Sequence, residues 1–129
     1  MPFRLDYLRD GPPILIHGDD RDAVCELARA FGRLYRGALE SLEIHALRYI
    51  DARECRLLAV RGERDRGARQ LGSAAAFEWI ESPARWGDVA GLVCTLHRPP
   101  ESGHQYLAPS PFGGRGIKVE LSVGERWAV

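Results

Sequence analysis

Hydrophobic positions along this chain change period several times, and each change marks an element. Phe3, Leu5 and Tyr7 alternate with Arg4 and Asp6, which predicts a half-buried strand. Asp10-Gly11-Pro12-Pro13 is turn chemistry, and an apolar run then resumes as far as His17, so the chain opens as a hairpin. Asp19 or Asp20 can cap a helix on which Val24, Leu27, Ala28, Phe31, Leu34 and Tyr35 form one apolar stripe. Its acidic residues come early, its arginines come late, and Gly37 can end it, so the helix runs over about 20–36. Leu42, Ile44 and Ala46 alternate with Glu43 and His45 as a strand, and Cys55 to Arg61 forms a more apolar one. The charged, glycine-rich stretch at about 62–74 reads as a solvated linker, in which a mobile arginine loop that grips an anion is the less favoured reading. Phe77 to Ile80 then feeds a second helix near 83–97, with Ser82 as cap, Pro83 in the first turn and a stripe of Trp86, Val89, Ala90, Val93 and Leu96. Pro99-Pro100 ends it. Gly103 to Leu107 reads as a short strand and Pro109 to Gly116 as a loop. Finally Ile117, Val119, Leu121 and Val123 alternate with Lys118, Glu120 and Ser122, the pattern of a strand with one wet face.

The pattern repeats itself at a spacing of 62 residues. That shift puts Val24 on Trp86, Leu27 on Val89 and Phe31 on Val93, and it puts Leu57 on Val119 and Ala59 on Leu121. The expected fold is therefore α+β, a single domain over 1–129 made of two βαββ-like halves at about 14–63 and 76–125, with a possible internal duplication. Two helices pack on a mainly antiparallel sheet, either all on one face or over two small sheets side by side. The first strands match poorly, since Ile16 falls on Glu78. The seam between halves, or an open sheet face, is the expected binding surface.

Composition narrows the function. Eighteen basic and eighteen acidic residues give no general pull toward nucleic acid or an acidic membrane. Lys118 is the only lysine, and the arginine excess fits a GC-rich genome better than phosphate binding. No stretch reaches the ~20 apolar residues of a bilayer span, and the charged N-terminus is unlike a signal peptide, so a cytoplasmic location is expected. Cys25, Cys55 and Cys94 are odd in number and lie in apolar-patterned segments, which predicts free, buried thiols; without a CxxC no zinc site is expected.

Four histidines are the main carriers of possible chemistry. His17 could form a metal or acid–base site with Asp19, but a strand-end histidine beside a helix cap is the simpler reading. His45 is expected on the surface, opposite Leu42 and Ile44, and His97 at the end of the second helix. His104 and Tyr106 point the same way from one strand, and with Arg115 they form the candidate ligand-binding notch. Under the 62-residue shift they replace Leu42 and Ile44, so a half-buried pair with satisfied polar tips is the alternative. Gly113 to Gly116 precedes a strand rather than a helix, which removes the helix N-terminus a phosphate loop uses. No nucleophile elbow, HExxH or Walker loop occurs, so no catalytic residue, metal or cofactor is assigned. Trp79 and Trp86 are expected to be packing residues; Trp127 could anchor a homodimer.

The segments Trp86, GHQYL (Gly103–Leu107) and KVELSVGE (Lys118–Glu125) resemble a class of small bacterial α+β proteins. The opening ILIHGDDRDAVCELARAF is similar to the strand-helix start of predicted polymorphic-toxin immunity proteins, although those usually carry a more acidic surface. The resemblance implies a bacterial cytosolic binding protein with a protein partner and no cofactor. The expected function is a non-enzymatic binding module, of the kind that neutralises a toxin. The alternative is a small enzyme or ligand-binding protein with a pocket near His104, Tyr106 and Arg115. A metal-dependent dioxygenase-like arrangement would need a histidine/carboxylate cluster from both halves.

Overall fold

The computed structural model describes residues 3–8, 14–97, 103–108 and 117–125. The fold is α+β. In chain order it runs β1 (Phe3–Tyr7), β2 (Ile14–Gly18), α1 (Arg21–Arg36), β3 (Ser41–Glu43), a 3₁₀ turn (Ile44–Ala46), β4 (Ile50–Asp51) and β5 (Arg56–Arg61). It continues through β6 (Gly67–Gln70), β7 (Ala76–Glu81), α2 (Pro83–Thr95), β8 (Gly103–Ala108) and β9 (Val119–Val123).

Both helices start and stop where local chemistry dictates. The Asp20 carboxylate accepts the Asp22 and Ala23 amides at 3.0 and 3.3 Å, filling two donors that the first turn of α1 leaves open. Gly37 ends α1 at φ +78°, a left-handed conformation that suits glycine. The Ser82 hydroxyl accepts the Arg85 amide at 3.3 Å with Pro83 in the first turn of α2. The two helices run antiparallel. The Arg21 guanidinium, at the start of α1, donates to the Leu96 carbonyl at the end of α2. At the other end, a Cβ on Gly87 would stand 2.9 Å from the Tyr35 ring.

The strands form two sheets, ordered β4-β1-β2-β9-β8 and β3-β5-β7-β6. Each takes strands from both halves. β2 lies parallel to β9, with Ile14 opposite Val119 and Ile16 opposite Leu121. β7 lies parallel to β5, with Phe77 opposite Leu57 and Trp79 opposite Ala59. Every half thus contributes its first strand to one sheet and its last strand to the other.

This register corrects the simple 62-residue correspondence. Last strands and helix caps do match at 62, as Leu57 with Val119 and Asp20 with Ser82. The first strands match at 63, so Ile14 corresponds to Phe77 and Ile16 to Trp79, all four buried. One residue fewer joins strand to helix in the second half, and that offset is what places Ile16 on Glu78 in the uncorrected shift. Two further expectations change. The strand through Leu42, Ile44 and Ala46 stops at Glu43 and turns into 3₁₀ geometry. The stretch read as linker contains β6, whose Ala68 is buried and pairs antiparallel with Trp79. Pro99-Pro100, the loop Pro109 to Gly116 and Trp127 lie outside the described residues.

The core is joined across halves by aromatic rings. Trp86 on α2 stacks on Phe31 of α1 at 5.5 Å and meets Trp79 of β7 edge-on at 4.7 Å. Its indole N–H donates to the Val60 carbonyl of β5 at 3.1 Å.

Candidate functional site

Period-2 alternation divides the five-stranded sheet into two faces. Phe3, Leu5, Ile14, Ile16, Val119, Leu121 and Val123 enter the core. Arg4, Asp6, His17, Glu120, Ser122, His104 and Tyr106 take the opposite, outer face. Strand order then sets them in rows. Arg4 pairs with His17, His17 with Ser122, and Ser122 with His104. In the adjacent row Asp6 pairs with Leu15, Leu15 with Glu120, and Glu120 with Tyr106. These rows cross four strands, but their middle is buried at Leu15, His17, Glu120 and Ser122, and among the named positions only His104 and Tyr106 are exposed.

At the second-half edge, His104 and Tyr106 are exposed and their rings meet edge-on at 6.0 Å. The candidate pair is therefore brought together; Arg115, its proposed third member, lies outside the described residues. The one-residue offset explains their exposure. His104, opposite Ser122, corresponds to Ser41 opposite Val60, and Tyr106, opposite Glu120, corresponds to Glu43 opposite Leu58. They occupy outward positions and do not replace Leu42 and Ile44. His104 Nδ1 donates to Glu125 at 3.2 Å, and Glu125 also accepts the buried Ser122 hydroxyl. The Lys118 ammonium stands 5.5 Å from the Tyr106 ring centroid, within cation–π range.

Glu120 lies under this edge. It is buried directly opposite Tyr106, whose hydroxyl is near enough to interact with its carboxylate, and its Oε2 has no hydrogen-bond partner among the described residues. That interaction and the negative charge of Glu120 together hold the Tyr106 phenol above its ordinary value of 10.0. The folded protein therefore keeps this proton at alkaline pH where the unfolded chain releases it. Stability from the pair is full below the unfolded value and is lost as pH rises through the folded one. Residue-resolved NMR titration of the tyrosine ring carbons should show Tyr106 ionising above 10.0, and Glu120→Gln should bring it back toward the ordinary value. An unmoved Tyr106 in that variant would break the assignment.

At the first-half edge, His17 Nε2 donates to Asp6 at 2.8 Å. The partner of His17 is thus a neighbour across the hairpin, not Asp19. Asp6 also lies 3.6 Å from the Arg4 guanidinium. Arg4, Asp6, Tyr7, Arg53, Glu54 and Cys55 border a cavity of about 460 Å³ at this corner. Arg53 has φ +41°, an uncommon conformation for a residue with a side chain. Burial pushes the Cys55 thiol up to about 11, with Asp6 adding to the effect, so it is no thiolate nucleophile near neutral pH.

The remaining histidines serve the framework. His45 Nδ1 accepts the Leu57 amide at 3.0 Å from the 3₁₀ turn, half-buried rather than on an open surface. His97 follows α2 and lies 3.1 Å from the Arg21 carbonyl. Among the described residues, no group of three or more His, Cys, Asp or Glu side chains is placed to hold a metal ion, and no helix is long and apolar enough to cross a membrane.

Sequence reasoning missed Asp6, Glu120, Ser122 and Glu125. The signal was present in the alternating polar positions of β1 and β9, although every residue of β9 is buried and the expected wet face is absent there; the strand order that joins those positions was not legible. Comparison with known proteins found no matching family model, curated protein or solved structure.

Proposed function

We propose that the protein is a non-enzymatic binding module that holds a protein partner at the exposed His104–Tyr106 edge of the five-stranded sheet, in the manner of an immunity protein that neutralises a toxin. The observation that carries this reading is the exposed His104–Tyr106 pair, whose rings meet edge-on at 6.0 Å at the edge of the sheet. The pair supplies the aromatic contact area that interface centres use. Ser122 is fully buried and bonded to Glu125, an arrangement that suits a support better than a nucleophile.

The test is binding to the product of the neighbouring gene by wild type, His104→Ala and Tyr106→Ala. Both variants should weaken the complex at least about tenfold, or ~1.4 kcal/mol. Their own stability should stay within about 0.5 kcal/mol of wild type, as for other exposed positions. Unchanged affinity in both variants would reject the edge as the docking site. A loss of several kcal/mol on removing His104 would make it a structural residue. A small-molecule reading has one observation in its favour, the corner cavity of about 460 Å³, a size within the range of ligand sites.

A further inference from the structure

We propose that Cys25 and Cys94 are a dithiol pair that closes reversibly into a disulfide across the two helices and clasps the halves of the fold together. The helices run antiparallel with Arg21 against Leu96 and His97 at one end and Tyr35 against Gly87 at the other. That register sets Cys25, one turn into α1, opposite Cys94, at the end of α2. Both thiols line the same groove between the helices.

The internal correspondence supports the pairing independently. The helices match at a shift of 62, which carries Cys25 onto Gly87 and Cys94 onto Gly32. Gly32 and Gly87 also line that groove. The two pairs of equivalent positions thus share one seam. Between them the seam carries Ala28 and Ala90, and small side chains let helix backbones approach closely. Close approach is what a disulfide requires, with Cα atoms roughly 4.4–6.8 Å apart.

Access sets the order of reaction. Cys94 is exposed, Cys25 is half-buried and Cys55 is buried. A hydroperoxide oxidises the Cys94 thiolate to a sulfenic acid, releasing hydroxide when the oxidant is hydrogen peroxide. The Cys25 thiolate then attacks Sγ of Cys94, the S–S bond forms, and a second hydroxide leaves. Two thiols lose two electrons and two protons, and one peroxide becomes two waters. A small thiol reverses the step by exchange.

The full-length protein should be exposed to equimolar hydrogen peroxide, alkylated and peptide-mapped. The expected product is a monomer lighter by two hydrogens, with Cys25 and Cys94 joined and Cys55 alkylated only after unfolding. The bond closes a long loop, so Tm should rise by roughly 5–15 °C and return on adding dithiothreitol. In Cys25→Ser, dimedone should trap the Cys94 sulfenic acid and peroxide should leave Tm unmoved. Dimedone labelling of wild-type Cys94 to the same extent would overturn the proposal. So would over-oxidised Cys94 beside free Cys25, or a Cys94–Cys94 bond between two chains.

Discussion

Trp86→Ala should lower the stability of the fold by about 3–5 kcal/mol, the range for deleting a large aromatic from a core. The side chain is fully buried and touches both halves. It stacks on Phe31 from one half and meets Trp79 of its own half, while its N–H satisfies Val60 on β5. Alanine there removes the ring contacts and leaves the Val60 carbonyl without that donor. For a chain of 129 residues the change corresponds to a fall in Tm of roughly 10–20 °C. Urea unfolding should show a lower midpoint with unchanged slope. Trp86→Phe keeps most of the packing and loses the hydrogen bond, so it should fall between. A Trp86→Ala midpoint within experimental scatter of wild type would mean that the ring cluster does not hold the halves together.

Neither half should fold alone. A chain of residues 1–63 keeps β1 to β5 but lacks β9, the parallel neighbour of β2, and β7, the parallel neighbour of β5. A chain of residues 64–129 has the mirror deficiency. Each fragment would expose the long apolar edge of a strand that is central in the intact sheet, together with the unpaired face of one helix. The fragments should give poorly dispersed amide spectra separately and regain dispersion when mixed. This outcome separates interlaced halves from two self-contained units, which would each fold alone.

The parts of the fold that were legible are those specified by neighbours in sequence. For α1, the cap, the stripe, the charge order and Gly37 agree, and the helix begins at Arg21 and ends at Arg36. Ser82-Pro83 does the same for α2. The exchange of strands was not legible, because pairing His17 with Ser122 leaves no local mark on either segment. The same gap hid the site. His104 and Tyr106 could be seen from their spacing, but Glu120 became their neighbour only through the β8–β9 register. It also misdirected His17 toward Asp19, close in sequence, when the hairpin supplies Asp6. The strand β6 escaped because Gly67-Ala68-Arg69-Gln70 has a single apolar side chain, too little to show a period.

The candidate binding edge depends on the row Arg4–His17–Ser122–His104 across the five-stranded sheet. Inter-strand nuclear Overhauser contacts in the intact protein test it most directly. The arrangement predicts backbone contacts between His17 and Ser122 in parallel register and between Ser122 and His104 in antiparallel register. Contacts pairing β2 with β5 of its own half, or none between β2 and β9, would contradict it.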